Sequence, residues 1–493
     1  MMNSMVDEKN VTFKDIEKEI FRIICEAGRT LTQEILEKYD QYLHETRDRE
    51  EYRDKGRRRS TIKTVYGEVS YERHVYQTHN EYGINHCVYL LDKNLSLNRI
   101  GLISENYVEL LISSITEMSY RNCAEKVSET TGLPISHTGV WNVIQKLGEK
   151  LIKDEKELVE TDKHEHIKGN REIPVLFEEA DGVWLNLQGK DRKKRGFPKA
   201  EMKAAIAYDG WKDEGSGRYS LDGKVVTAGF NKASDFQKIR EAMIAAEYNL
   251  DEVQMRLLNG DGASWIKKTR DKETVFQLDP FHRNKSIREN LYHKKAVRDV
   301  MDLIENGQIE EMFEYLTIYK DSLADDEAIE KAETLIRYLS ANREGLLPYQ
   351  ERELDIPESP EGLIYKNMGT MENHIWSIIA RRMKHNHTSW SIRGGNHLAK
   401  ILAKKCSGKL YEITEQLRMP VFEEEKIEEI KGDILQAGRI KEKIGTGYAY
   451  PVRGHMVGLE TGIRGDRRKI FSMAGNKPCA SNSKRARNER CMY

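Results

Sequence analysis

The sequence predicts a multidomain protein with a mixed α/β fold, and three observations support this. The chain has 493 residues, which is too long for one compact core and favours two to four domains. Between residues 173 and 278, three or four β-rich segments in succession precede a helix, a strand, a helix and a strand, an order typical of a mixed sheet. On both sides of this region, apolar residues recur every three to four positions, which predicts helices.

Charge is balanced over the whole chain and uneven along it. The 80 Lys and Arg residues face 81 Asp and Glu residues, which excludes a uniformly cationic coat for nucleic acid. Residues 464–490 nevertheless hold nine Lys or Arg against two acidic residues, and short basic runs occur at 57–59 and 192–195. Each run has a length that can follow a phosphate backbone, and each is equally compatible with a solvated surface.

The cysteines and the hydropathy indicate a setting inside the cell. Six scattered cysteines include no C-x-x-C pair, so neither a cysteine zinc site nor a disulfide framework is expected. No stretch approaches the roughly 20 apolar residues of a membrane helix. We therefore expect a soluble, cytoplasmic protein without a membrane partner.

The N-terminal part of the chain predicts helices followed by a small sheet. From Phe13 the apolar residues follow one helical face, which predicts one or two amphipathic helices in residues 1–60. These helices could pack on the rest of the chain or on a second subunit. Residues 61–98 form a predicted β-hairpin region, because β-forming residues alternate there around Gly67.

Residues 99–160 contain a candidate helix-turn-helix. A short helical face ends at Gly132, and a new helix begins after Ser136, which is a good N-cap. Two short helices around a glycine-containing turn are typical of DNA-binding helix-turn-helix motifs, although an ordinary helical hairpin has the same signature. The inward face of the second helix is predicted to consist of Val140, Trp141, Ile144 and Leu147. The polar residues expected to contact DNA are His137, Thr138, Asn142, Gln145 and Lys146.

The remaining chain divides into four predicted segments. The first part of the predicted α/β core occupies residues 172–282, and a helical insertion follows at 283–368. The final helices of the core occupy 369–420, and a C-terminal basic region occupies 421–493. A helix predicted near 371–384 has an apolar stripe of Ile375, Trp376, Ile379 and Met383. Its basic end carries Arg381, Arg382 and Lys384, which are expected to hold DNA phosphates.

Three carboxylates in the predicted core are candidates for chemistry. Asp181 interrupts or ends the first strand, Asp261 follows a later one, and Glu372 begins the helix after the insertion. Carboxylate oxygens are the ligands that Mg²⁺ prefers. Each residue also has an ordinary interpretation, namely a hairpin turn, a turn that caps a helix, and a first-turn glutamate favoured by the helix dipole.

A histidine that follows the second aspartate in the sequence supports the interpretation of the three carboxylates as a functional site. Asp279 is expected to cap the next helix, and His282 falls in its first turn. A packed or exposed histidine at a helix start is the ordinary alternative.

Four ordered motifs resemble bacterial insertion-sequence transposases of the DDE type, in the group related to eukaryotic Mutator elements. They lie at residues 179–184, 259–266, 279–282 and 371–374. The resemblance implies a ribonuclease H-like catalytic domain with an all-helical insertion, preceded by a helical helix-turn-helix region. It also implies that Asp181, Asp261 and Glu372 bind Mg²⁺ or Mn²⁺, two ions in all, and that His282 completes a C/D-x-x-H motif. Asp279 stands here at the first position of that motif, so no zinc role is implied.

The resemblance further implies a function and its partners. A protein of this kind binds the terminal inverted repeats of its element, cleaves DNA strands and transfers the 3' ends to target DNA, as a homo-oligomer. Two alternatives remain open at this point. One is a ribonuclease H-like nuclease without strand transfer, and the other is a non-catalytic helix-turn-helix regulator.

Overall fold

The computed structural model describes residues 12–79, 83–95, 103–267, 274–385 and 387–415. These residues form two compact units: the described residues up to Val143 together with Thr414 and Glu415, and Ile144–Ile413. The predicted C-terminal basic region, 421–493, lies outside the described residues.

The first unit begins with one long helix and a three-stranded antiparallel sheet. Helix α1 (Phe13–Thr46) is a single helix, and it starts at a capping box in which Thr12 and Asp15 bond reciprocally. The predicted hairpin is confirmed and is longer than expected, since β1 (Arg53–Thr64) pairs with β2 (Gly67–His79). A third strand, β3 (Asn85–Val88), pairs with the far end of β2.

Four more helices follow, and two of them form the predicted helix, turn and helix. These helices are α2 (Leu90–Leu95), α3 (Glu105–Ile115), α4 (Tyr120–Thr131) and α5 (His137–Glu165). Helix α4 ends at Gly132, whose φ of 65° is a left-handed conformation that glycine adopts without strain. The Ser136 hydroxyl accepts a hydrogen bond from the Gly139 amide, which confirms the predicted N-cap of α5. Helix α5 contains the division between the two units.

The prediction that Trp141 lies on the inward face of α5 is wrong. Val140, Ile144 and Leu147 are buried as expected, whereas Trp141 is 43% exposed. Successive residues turn by about 100° around a helix, so Trp141 falls beside the stripe and the buried Val143 completes it.

The second unit is built on a five-stranded mixed sheet, which confirms the predicted α/β class. Its strands, in chain order, are β4 (Val175–Asn186), β5 (Lys199–Tyr208), β8 (Val225–Gly229), β9 (Met255–Gly260) and β10 (Val275–Leu278). Their order across the sheet is β10-β9-β4-β5-β8. Strand β9 is parallel to its neighbours β10 and β4, and β5 is antiparallel to its neighbours β4 and β8. A separate hairpin consists of β6 (Gly210–Asp213) and β7 (Tyr219–Asp222).

Strand β4 corrects the prediction for Asp181-Gly182. These residues do not form a turn and do not interrupt the strand. Asp181 pairs with Ala204 and Gly182 with Lys203, in the middle of a continuous ladder. This pairing keeps the Asp-Gly pair extended, because the ladder satisfies backbone groups that an isolated turn would expose.

The remaining helices lie between the strands in the chain or follow the last strand. They are α6 (Gly189–Arg195), α7 (Ala233–Ala245), α8 (Ser264–Lys267), α9 (Pro280–Asn290), α10 (Lys294–Glu305), α11 (Ile309–Asp321), α12 (Asp326–Ala341), α13 (Met371–Ile375), α14 (Arg381–Met383), α15 (Ile392–Cys406) and α16 (Glu412–Glu415). A π-helical turn, Trp376–Ala380, joins α13 to α14.

The helices α10 to α12 form the predicted helical segment, and they share a core with the sheet. Val300, Ile304, Leu335 and Leu339 of this segment are buried. They belong to one hydrophobic cluster that also contains sheet residues such as Leu258. The segment therefore packs as part of the second unit.

Within the described ranges, no helix combines the length and the apolar character that a bilayer crossing requires.

Candidate active site

Two of the predicted carboxylates lie next to each other because of the strand register. Strands β4 and β9 run parallel with Ala180 opposite Gly260. Asp181 and Asp261 each follow that pair directly in the chain, and neighbouring strands lie about 4.8 Å apart. The mixed sheet thus brings together two residues that are 80 positions apart in the chain.

Glu372 and His282 reach the same place from two helix starts. Asp181, His282 and Glu372 each offer one ligand atom, and these atoms lie within 4.8 Å of one another. The Nε2 atom of His282 is 3.5 Å from a carboxylate oxygen of Asp181. Asp181 is buried, His282 is half-buried and Glu372 is exposed, so the group lies at the surface and is open on the Glu372 side.

The charges of these groups influence one another. Burial raises the pKa of Asp261, a hydrogen bond from the Ala263 amide opposes that rise, and the negative charge of Asp181 adds to it. The hydrogen bond with Asp181 raises the pKa of His282, and burial opposes it. Carboxylates that repel one another in a partly buried site are stabilised by a bound cation.

Asp279 acts mainly as a helix cap, as its position in the sequence predicts. Its carboxylate accepts from the His282 amide at 3.1 Å, and Pro280 follows at the first helical position. A second oxygen of Asp279 accepts from the side-chain amide of Asn259 at 2.9 Å. Asp279 therefore fixes the start of α9 and with it the position of His282.

Sequence reasoning missed Glu179, which anchors the helix that carries Glu372. Its carboxylate accepts from the backbone amides of Gly369, Thr370 and Met371 at 2.9 to 3.1 Å. It also accepts from the Thr370 hydroxyl, from Tyr208 and from Asn259. Glu179 is two positions from Asp181 on β4, so both side chains point to the same face of the sheet. The alternation of side chains along a strand could have predicted that Glu179 lies on the same face as Asp181.

Glu201 on β5 is a second residue that the sequence did not indicate. A side chain at Gly182 would place its first carbon 2.4 Å from a Glu201 oxygen, so the glycine lets the Glu201 carboxylate lie close to the backbone beside Asp181. Trp265 donates to Glu201 at 3.3 Å, and Lys203 lies 3.4 Å from it. Glu201 therefore adds a fourth acidic group near the site, and its charge contributes to the raised pKa of Asp261.

The helix beyond Glu372 differs in part from its prediction. Arg381 and Lys384 are exposed, but Arg382 is buried, with its guanidinium 5.4 Å from the centre of the Trp390 ring. Trp376 is 50% exposed and lies against His385. The π-helical turn Trp376–Ala380 explains the difference, because its extra residue rotates the following side chains out of the α-helical register.

The polar face of α5 also holds one exception. His137, Thr138, Asn142 and Lys146 are exposed, as predicted. Gln145 is buried, and its side-chain oxygen accepts from the His397 ring at 2.7 Å. The prediction that Gln145 faces DNA is therefore wrong.

The donor set at the site fits a hard divalent cation. Two carboxylates and one imidazole meet at a half-open surface, and the Asp261 carboxylate lies nearby but outside that group. Mg²⁺ and Mn²⁺ favour oxygen-rich sets with positions left for water. Asp181, Asp261 and Glu372 are the residues that would hold such ions, with His282 beside them.

Comparison with known proteins identifies relatives along most of the chain. A family model described as an uncharacterised protein family, UPF0236, matches residues 6–418. A UPF0236 protein of Caldanaerobacter subterraneus subsp. tengcongensis is 27% identical over 427 residues, which cover 84% of this chain and 82% of the relative. The name of that relative joins eleven locus designations.

Two further relatives extend this comparison. A second protein of the same strain, whose name joins four locus designations, is 26% identical over 417 residues, with 82% and 80% coverage. A UPF0236 protein of Streptococcus gallolyticus, named for its position in the vanSb 3' region, is 24% identical over 358 residues, with 71% and 73% coverage.

Proposed function

The chain belongs to the UPF0236 family, and we propose that it is a metal-dependent DNA transposase of the DDE type. The observation that carries the proposal is the meeting of Asp181, His282 and Glu372 within 4.8 Å, with Asp261 directly after the adjoining strand β9. The three converging residues are far apart in the sequence and come from β4, α9 and α13. Such a convergence of acidic groups is costly unless a cation offsets the repulsion.

We infer a ribonuclease H-like architecture for the catalytic unit. In support, three antiparallel strands are followed by two parallel ones in a single mixed sheet. One carboxylate, Asp181, lies on β4, the second, Asp261, follows the adjoining strand β9, and the third follows the helical segment α10 to α12. This is the order of parts that the resemblance to DDE transposases implies.

The proposed chemistry is in-line displacement at phosphorus. Asp181, Asp261 and Glu372 would hold two Mg²⁺ or Mn²⁺ ions, which would supply the charge needed to activate a water or a 3'-hydroxyl and to stabilise the leaving oxygen. Asp181 offers a carboxylate from β4, Asp261 offers one directly after β9, and Glu372 offers one from a helix start that Glu179 fixes. The Nε2 atom of His282 lies 3.5 Å from Asp181, where it would be able to exchange a proton with the attacking or leaving oxygen.

Two observations support DNA as the substrate. The exposed polar face of α5 follows a short helix and a glycine turn, the arrangement that enters the major groove in helix-turn-helix proteins. Arg381 and Lys384 lie exposed on the helix that begins with Glu372, where they would contact phosphates beside the scissile one.

The names of the relatives add a genomic argument. One relative carries eleven locus designations of one strain, and a second carries four. A coding sequence repeated at many loci in one genome is the expected result of an element that copies itself. A nuclease or a regulator has no comparable reason to be repeated in this way.

The test is strand cleavage and joining by the purified protein on DNA that carries the ends of its element. Asp181→Asn is expected to lower Mg²⁺-dependent nicking by on the order of 10³-fold or more, since metal positioning supplies several kcal/mol. Binding to the ends should stay within a few-fold. Asp235→Asn, which changes an exposed carboxylate in the first turn of α7, should nick like the wild type. Unchanged nicking by Asp181→Asn would refute the assignment.

An assay that supplies pre-nicked element ends and a second duplex distinguishes a transposase from the two alternative functions. A transposase joins the supplied 3' ends to the second duplex. A ribonuclease H-like nuclease cleaves without joining, and a regulator binds without Mg²⁺-dependent nicking. The DNA that flanks the coding region gives an independent check, because inverted repeats bounded by short direct duplications indicate past transposition.

A further inference from the structure

A second group of metal-binding side chains lies in the first unit, at the C-terminal end of α1. His44, Asp54 and His74 each offer one ligand atom, and these atoms lie within 4.8 Å of one another. They come from α1, β1 and β2, and the proposed catalytic chemistry uses none of them. We propose that this group is a binding site for a transition-metal ion of the Zn²⁺ class, independent of the Mg²⁺ site.

The strand pairing explains why Asp54 reaches the histidines. Asp54 is opposite Tyr76 in the β1-β2 ladder, and His74 and Tyr76 lie two positions apart on the same face. The register shifts between Asp54 and Arg57, where Gly56 adopts a φ of 86°. Such a bulge re-aims side chains, and it is common next to functional sites.

The two imidazoles are already held side by side. The rings of His44 and His74 stack with their centres 4.0 Å apart and their planes 17° apart. The Tyr76 hydroxyl lies 3.3 Å from the Nδ1 atom of His44. The fold therefore places two potential imidazole ligands next to each other before any ion binds.

A buried carboxylate orients His74 from behind, as in many metal sites. Asp40 is buried and accepts from the Nδ1 atom of His74 at 2.6 Å and from its backbone amide at 3.0 and 3.1 Å. This contact fixes the proton on Nδ1 and leaves the lone pair on Nε2. Carboxylate, histidine and metal in series are a common arrangement, in which the carboxylate makes the imidazole a better ligand.

The chemistry of the three donors selects the class of ion. Two imidazoles and one carboxylate suit Zn²⁺, Co²⁺ or Ni²⁺ better than Mg²⁺, which prefers oxygen. Around a tetrahedral Zn²⁺ with bonds of about 2.1 Å, ligand atoms lie about 3.4 Å apart, so the group needs to contract by roughly 1 Å. A fourth position remains open for water.

Arg57 contacts the ring nitrogen of His74 through which an ion would bind. Its Nε donates to the Nε2 atom of His74 at 3.3 Å, and its side chain is exposed. The arginine must move away when an ion binds, and its positive charge opposes binding. Removing it should therefore strengthen metal binding, an effect that is not expected if the histidine stack is only structural.

The test uses the full chain carrying Asp181→Asn and Glu372→Gln, so that the proposed catalytic centre contributes little to metal uptake. After chelator treatment and dialysis, the parent should take up one equivalent of Zn²⁺ and give the visible absorption of tetrahedral Co²⁺. His44→Gln and Asp54→Asn should each weaken binding at least tenfold, and Arg57→Ala should tighten it. His164→Gln, which changes an exposed histidine on α5, should bind like the parent.

Two results would overturn the proposal. One is a parent protein that takes up no Zn²⁺ at micromolar concentrations. The other is equal uptake by the parent, His44→Gln and Asp54→Asn, since this would place the ion elsewhere. His44 and Asp54 are not fully buried, so both variants should fold, and circular dichroism checks this. Neither result bears on nicking by the wild-type protein, so this proposal and the proposed function fail separately.

Discussion

At the scale of single residues, the carboxylate of Glu179 has the most demanding environment near the proposed active site. It is fully buried and accepts from three consecutive backbone amides at the start of α13. These amides have no partner inside their own helix, and the positive end of the helix dipole lies there. A negative charge at this point therefore stabilises the helix start and fixes Glu372 one residue further on.

Glu179→Gln is expected to lower the free energy of unfolding by about 2–4 kcal/mol, because several buried donors lose their charged acceptor. It should also raise the Mg²⁺ concentration needed for half-maximal nicking, since Glu372 would no longer be held in place. Denaturant unfolding and a Mg²⁺ titration of nicking measure the two effects.

The matched control for this variant is the preceding residue, Glu178. It is equally buried, on the same strand, and its side chain points to the opposite face, where it pairs with Arg240 and Arg256. Glu178→Gln should lose stability but keep the Mg²⁺ requirement of the wild type. An equal change in the Mg²⁺ requirement of both variants would mean that Glu179 acts through general stability alone.

The residues that sequence reasoning found and those it missed differ in a physical way. Asp181, Asp261 and Glu372 were found because they stand in short motifs at the ends or centres of predicted elements. Glu179 and Glu201 were missed because their roles depend on partners, Thr370 and Gly182, that only the folded sheet brings near. Gln145 and Arg382 were predicted at the surface because a helical pattern does not show what packs against it.

At the scale of elements, α4 and α5 offer a defined surface for DNA. The exposed residues His137, Thr138, Asn142 and Lys146 occupy the first three turns of α5. The start of the second helix is the part that contacts base edges in helix-turn-helix proteins. An asparagine there can bond to adenine with two hydrogen bonds, whereas a lysine bonds equally well to phosphate.

Asn142→Ala is therefore expected to weaken binding to the element ends by roughly 10- to 100-fold, or about 1–3 kcal/mol. Affinity for DNA of scrambled sequence should change little. Fluorescence anisotropy with both duplexes at one salt concentration measures the difference. Lys153→Ala, which changes an exposed residue further along α5, is the control, and equal losses on both duplexes would argue against base contacts by Asn142.

The elements themselves were largely predictable, and their ends were not. The strands of the mixed sheet and the helices after it follow the apolar periodicity of the sequence. Two exceptions have clear causes: Asp181-Gly182 stays extended because β5 pairs with it, and Trp376 turns outward at a π-helical turn. Neither pairing partners nor an inserted helical residue leave a periodic signal in the chain.

At the scale of the whole molecule, a strongly basic segment lies outside the region that the family model matches. The family model ends at residue 418, and residues 464–490 carry nine basic against two acidic side chains. A basic segment of this kind contributes to DNA affinity through the release of counterions, without regard to base sequence.

Removal of residues 419–493 is expected to lower affinity for any duplex and to flatten its dependence on salt. For every phosphate that the shortened protein no longer neutralises, the slope of log K against log salt should fall by about 0.9. Nicking at saturating DNA should persist, because the proposed catalytic residues all precede residue 419. An unchanged salt slope in the truncated protein would show that the basic segment does not bind DNA.

The shared core of the helical segment and the sheet determines where the chain tolerates engineering. Deleting α10 to α12 would expose Leu258 and Phe276 and leave a hydrophobic face of the sheet in contact with solvent. The shortened protein should therefore aggregate. A fluorescent reporter belongs instead in the loop between α11 and α12, where residues 324 and 325 face solvent. A fusion at that point would let the protein be followed in living cells without disturbing its fold.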